Sequence, residues 1–137
     1  MDRDKGMKLN FQYAHNTHDE SEDVPISNPL DVLIAFDDFD WDLQVEKANR
    51  IQKCAPTISL ILKADKELIW VSAGGDKQSM FFVSECYFPG EVSAWFGLSK
   101  KQGTVRLFTQ SFSKETARRA LELFINKDNS ALRELYA

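Results

Sequence analysis

Thr57-Ile58-Ser59-Leu60-Ile61-Leu62-Lys63 decides the fold class. Ile58, Leu60 and Leu62 alternate with Thr57, Ser59 and Lys63, the period of two expected of a strand with one buried face. From there to Gln110 the pattern predicts five strands. Ala64-Asp65-Lys66 turns the chain into Glu67–Ala73, which carries Leu68, Ile69, Trp70 and Val71. Gly74-Gly75-Asp76-Lys77 reads as the next turn, because glycine reaches positive φ at little steric cost. Gln78–Tyr87 is apolar on both faces through Met80, Phe81, Phe82 and Val83, as a central strand is. Pro89-Gly90 marks a tight turn before Val92–Leu98, and Ser99-Lys100-Lys101-Gln102-Gly103 joins that strand to Thr104–Gln110. Connections this short favour antiparallel neighbours.

Such a sheet needs a cover, and the residues after it supply one. Ser113 is a natural N-cap for a helix over Lys114–Asn126, with Phe112 and Ala117 placed as a hydrophobic staple. Ala117, Ala120, Leu121 and Phe124 recur at helical spacing, with Arg118, Arg119 and Glu122 on the other side. Upstream, Ser27-Asn28-Pro29 is a helix start, and Leu30, Leu33, Ile34 and Asp37 continue it to about Phe36. A buried strand over Val32–Phe36 is the rival reading. Leu43–Lys53 is a second helix, with Trp41, Val45, Ala48 and Ile51 on one face and Pro56 ending it. Met7–Ala14 alternates as an edge strand, and His15–Val24 is polar enough for a mobile linker or exposed arm. Ala131–Tyr136 reads as a short helix or an edge strand. The expected fold is α+β: an antiparallel sheet of five to six strands packed against an amphipathic C-terminal helix, with one or two helices before the sheet. The 137 residues make one domain, with a compact core over 28–137.

The net charge of −4 conceals an asymmetry. Residues 1–46 hold 12 acids against 3 bases, and residues 47–137 hold 9 against 14. Between Lys8 and Lys47 there are ten acids and no lysine or arginine. Segregation of this kind bears on partners and steering rather than on fold. The two cysteines, Cys54 and Cys86, form no metal spacing or disulfide framework, which points to a reducing compartment. No apolar run approaches a membrane helix, and the first residues lack the apolar core of a signal peptide, so the expected location is the cytoplasm.

Catalytic patterns are sparse. His15 and His18 are the only histidines, and their spacing suits a metal only if the segment is helical, with Asp19 or Glu22 assisting. Asn16, Thr17 and Asp19 are poor helix formers, so a solvated linker is the better reading, and no metal or cofactor is expected. Asp38, Asp40 and Asp42 copy the start of a calcium loop, but its glycine and terminal glutamate positions hold Leu43 and Asn49. Gly74-Gly75 precedes a strand and presents no helix N-terminus to a phosphate. Lys100, Lys101 and Arg106, with Trp95 and Phe96 nearby, are the only nucleic-acid signal, and the pI of about 5.2 opposes it. Asp37, Asp38, Asp40 and Asp42 surround Phe39 and Trp41. Helix capping explains one or two of these acids. The whole set suits a basic protein partner, with Trp41 as anchor and Asp19, Glu20, Glu22 and Asp23 as a peripheral arm.

The order of elements resembles the small immunity proteins of bacterial polymorphic and interbacterial toxin systems, the family found beside deaminase and nuclease toxins. The residues that carry the likeness are Leu68-Ile69-Trp70-Val71, Phe81-Phe82-Val83, Ala94-Trp95-Phe96-Gly97 and the run Ser113–Phe124. It spans residues 28–137. Tyr136 stands where the family usually has Trp, and Ser99–Gly103 is poorer in Gly and Pro than the family's loop. The resemblance implies a protein without a reaction of its own that binds a cognate toxin and neutralises it. Its motifs are packing motifs rather than chemical ones, and such families diverge most at the contact surface, so it transfers no site residues. The alternatives are a small adaptor with another basic partner and, further off, an enzyme with a pocket between sheet and helix. No membrane or nucleic-acid partner is expected.

Overall fold

The computed structural model describes residues 7–62, 66–76, 78–94 and 99–137. In chain order these form β1 (Lys8–Gln12), β2 (Glu22–Pro25), α1 (Asp31–Asp38), α2 (Trp41–Ile51), β3 (Thr57–Leu62), β4 (Glu67–Asp76), β5 (Ser79–Ala94), β6 (Ser99–Phe112), α3 (Lys114–Ile125) and α4 (Asn129–Tyr136). The strands make one antiparallel sheet in the order β2-β1-β3-β4-β5-β6. The α+β class holds, with helices before and after the β3–β6 meander. No described helix is long and apolar enough to cross a membrane.

Register separates the two faces of the sheet. Leu9, Leu60, Ile69, Cys86 and Leu107 lie in one row across five strands. Together with Ile58, Val71 and Phe82 they meet Phe36, Trp41, Val45, Leu121 and Leu132 from the helices in a single core. The opposite face is crossed by the rows Asp23-Asn10-Ser59-Trp70-Glu85-Phe108 and Pro25-Lys8-Ile61-Leu68-Tyr87-Arg106. All four helices pack on the first face, and no described element covers the second.

Helix boundaries follow local chemistry. Ser113 Oγ accepts from Thr116 N, so α3 starts where expected, and Asp128 caps α4 through Ala131 N. The tail is a helix, with Leu132 and Tyr136 buried. Between Asn28 and α1 the chain makes a turn, with Asn28 Oδ1 accepting from Leu30 N, so the helix begins two residues after Pro29. The rival strand over Val32–Phe36 is absent, because that segment lies inside α1.

Four local expectations are corrected. Pro89-Gly90 is not a turn: β5 runs through it, with Pro89 opposite Thr104 and Gly90 opposite Gly103. The last β4 pair is Leu68 with Tyr87, so at Pro89 only β6 lies alongside and the missing N–H is tolerated. Ser99–Gly103 is likewise strand, and residues 95–98 of the expected Val92–Leu98 strand, Trp95 and Phe96 among them, fall outside the described residues. The Gly74-Gly75 turn is displaced toward Gln78, and both glycines sit in β4. A Cβ on Gly74 would lie 2.8 Å from the Phe81 ring, and one on Gly75 (φ +81°) would lie 2.2 Å from Ser79 O. The glycines therefore admit the Phe81 ring and a left-handed step rather than forming the loop. Finally, β1 is interior and the acidic stretch supplies the edge strand β2. Val24 opposes Leu9, while Asn10 Nδ2 donates to Asp23 Oδ1 and Ser21 Oγ and Lys8 Nζ pairs with Asp23. Gln12 Nε2 donates to the carbonyls of Thr17, His18 and Glu20, pinning the β1–β2 connection. The linker is thus an ordered hairpin.

Candidate interaction site

The corner between α1 and α2 gives each aspartate a different task. Arg118 on α3 grips Asp37 with two parallel bonds, Nε and Nη2 to the two carboxylate oxygens, each at 2.8 Å. That guanidinium holds the Asp37 carboxyl below the usual range. Asp40 caps α2, its Oδ1 accepting from Leu43 N at 3.1 Å. Asp38 and Asp42 are exposed, and neither has an ion-pair partner among the described residues. Trp41 is 1% exposed. Its indole packs on Phe36, Phe39 and Phe82 at 4.3–5.3 Å between centroids and donates to the Phe36 carbonyl. The expectation of Trp41 as a surface anchor is corrected: the aromatic that opens α2 is core, and it satisfies a carbonyl in the last turn of α1.

A different set of rings reaches the surface. Phe39, between Asp38 and Asp40, stacks on Tyr13 at 5.7 Å and on Phe11 at 6.4 Å. Tyr13 in turn stacks on Phe11 and on the His15 ring. Phe11, Tyr13 and Phe39 are half-buried and His15 is exposed. Glu22 of β2 stands opposite Phe11 in the register. Burial, and then the Glu22 charge, raise the Tyr13 hydroxyl above its ordinary pKa. This aromatic ladder therefore joins the two acidic runs, which are remote in sequence. Beside it, Tyr13, His15, Asn16, Asp19, Glu20 and Glu22 line an open groove of about 650 Å³.

The structure thus brings Asp19, Glu20 and Glu22 to a groove beside Tyr13 and His15, while Asp38 directly precedes Phe39 at the end of α1 and Asp42 lies at the start of α2. Glu20 accepts from Thr17 N at 2.8 Å, a bond that lowers its pKa. Asp23 is left out. It faces the uncovered side of the sheet, where Asn10 and then Lys8 hold its carboxyl below the usual range. Sequence reasoning missed the ladder and Arg118. The alternation of Phe11 and Tyr13 was a signal for the first, but nothing local pairs Asp37 with a residue 81 positions away.

Other chemistry has little to work with. His18 Nε2 bonds the Lys53 carbonyl while His15 stacks on Tyr13, so the two rings diverge. Among the described residues no three His, Cys, Asp or Glu side chains converge on a metal position. His18 and Cys54 line one shallow groove, but burial pushes the Cys54 thiol up, the opposite of an activated nucleophile. Arg106, part of the weak nucleic-acid signal, is paired with Glu85. Comparison with protein-family models, with curated proteins and with solved structures finds no match to this chain.

Proposed function

We propose that this protein is an immunity protein that binds and neutralises a cognate antibacterial toxin in the cytoplasm, a toxin that acts on nucleic acid. The observation that carries the reading is the aromatic ladder of Phe11, Tyr13, Phe39 and His15, which links the segment carrying Asp38 to the groove lined by Asp19, Glu20 and Glu22. A nuclease or deaminase cleft is basic because it holds phosphates. Carboxylates that form no ion pair among the described residues offer that cleft the same charge, and the half-buried rings supply the desolvated contact from which affinity comes. The resemblance of residues 28–137 to immunity proteins points the same way.

The test uses the product of the neighbouring toxin gene and the purified chain. Asp38→Lys with Glu22→Lys should weaken a salt-sensitive complex and abolish rescue of growth. Asp40→Asn, which keeps a capping side chain, separates the cap from the charge and should preserve folding. Affinity that ignores both the double reversal and added salt would sink this reading. A bound basic protein that is harmless when expressed alone would instead make the chain an adaptor.

A further inference from the structure

The uncovered face of the sheet is built differently from the acidic side. Ile61, Leu68, Trp70 and Tyr87 lie half-buried along its two full rows, while Phe81 and Phe108 are 41% and 44% exposed. At its centre stands Glu85, only 7% exposed. Glu85 Oε1 accepts from Trp70 Nε1 at 3.3 Å and from the Tyr87 hydroxyl at 3.0 Å, and Oε2 accepts from Arg106 Nε. Its demand for partners is met inside one chain. The rows crossing all six strands carry four charges, and each is paired, Lys8 with Asp23 and Arg106 with Glu85.

We propose that this face is the contact of a symmetric homodimer, sheet packed on sheet. Three observations favour a second copy over another occupant. The two rows that cross all six strands are neutral and internally satisfied, so two copies meet along them without repulsion and without burying a bare charge. The groove lined by Asp19, Glu20 and Glu22, by contrast, gathers like charge that would repel its own copy. The size also fits: six strands about 4.8 Å apart, and about 30 Å of β4–β6, give on the order of 700 Å², close to the ~800 Å² per partner of a stable interface. Finally, a twofold contact uses one patch twice, and an aromatic sheet face whose central carboxylate is already occupied is self-complementary in that sense. Arg106 sits toward the β6 rim, where its remaining N–H groups stay wet. The inference does not depend on the toxin reading, since it uses none of the ladder residues.

Sedimentation of the full chain over a concentration series from the micromolar range upward tests it. The expected result is a reversible dimer whose affinity changes little with salt. Phe108→Asp and Phe81→Asp, at side chains already substantially exposed, should each weaken it by about tenfold or more while the thermal unfolding of the variants stays cooperative. Asp38→Lys should leave the dimer intact. A chain that stays monomeric throughout, or a dimer that survives both phenylalanine substitutions, overturns the proposal. So does a dimer lost with Asp38→Lys.

Discussion

Replacing Trp41 separates a core residue from an interface anchor. The indole is 1% exposed, and its N–H donates to the Phe36 carbonyl at 3.0 Å. Trp41→Phe keeps an aromatic ring but removes that donor, which costs about 1–2 kcal/mol because the carbonyl is left buried without it. The lost ring atoms leave a void between Phe36, Phe39 and Phe82, worth roughly another 1–2 kcal/mol. The expected loss is therefore about 2–4 kcal/mol, a large part of the ~5–15 kcal/mol that holds a domain together. Trp41→Ala should cost about 3–5 kcal/mol. Urea unfolding followed by far-UV circular dichroism measures both without interference from Trp70 and Trp95. A change under about 0.5 kcal/mol for Trp41→Phe, the size typical of surface positions, would refute the packing described and return Trp41 to the surface as an anchor.

The remaining predictions concern the clamp, the hairpin and the thiols. Arg118→Ala should cost about 0.5–1 kcal/mol near neutral pH, since both ends of the clamp are solvent-screened despite their bidentate geometry. Because the folded Asp37 carboxyl titrates below its unfolded value, the contribution is present above about pH 4 and is lost as pH falls through the folded pKa. Wild type and variant should then converge in strongly acidic urea titrations, and a constant gap would contradict the clamp. Gly75→Ala places a Cβ against Ser79 O at a positive φ and should cost about 2 kcal/mol or more, read as a lowered Tm. Burial pushes the Cys86 thiol up to about 12, so alkylation of the folded protein near pH 8 should give one adduct, at Cys54. A second adduct before unfolding would show Cys86 to be accessible.

What the sequence disclosed depends on the range of each interaction. Thr57–Leu62 and Ser113–Phe124 were legible because period and capping are local signals, and both elements appear within a residue or two of expectation. Pro89-Gly90 misled because proline's cost depends on the neighbouring strand, and whether β4 extends that far is a tertiary fact. The segment through Glu22–Pro25 looked unstructured because its stabilisation comes from Asn10, Lys8 and Gln12 rather than from its own propensity. At the candidate site the acids were visible as composition, but their separate tasks were not. Arg118 reaches Asp37, and Tyr13 reaches Phe39, from outside the local window. Glu85 lies in a strand read as apolar on both faces, and its partners Trp70, Tyr87 and Arg106 come together only through the sheet register.

The place of β1 between β2 and β3 has a consequence for synthesis. The β1–β2 hairpin leaves the ribosome before β3, the strand that completes it, which lies beyond two helices. Until β3 arrives, Leu9 and Phe11 sit on a two-stranded ribbon whose β1 edge is also unpaired, the kind of nascent segment that sticks to its neighbours. The carboxylates of Glu22 and Asp23 are already attached to that ribbon. They act as gatekeepers during the wait, so the negative charge of the first third serves the growing chain before any partner meets it.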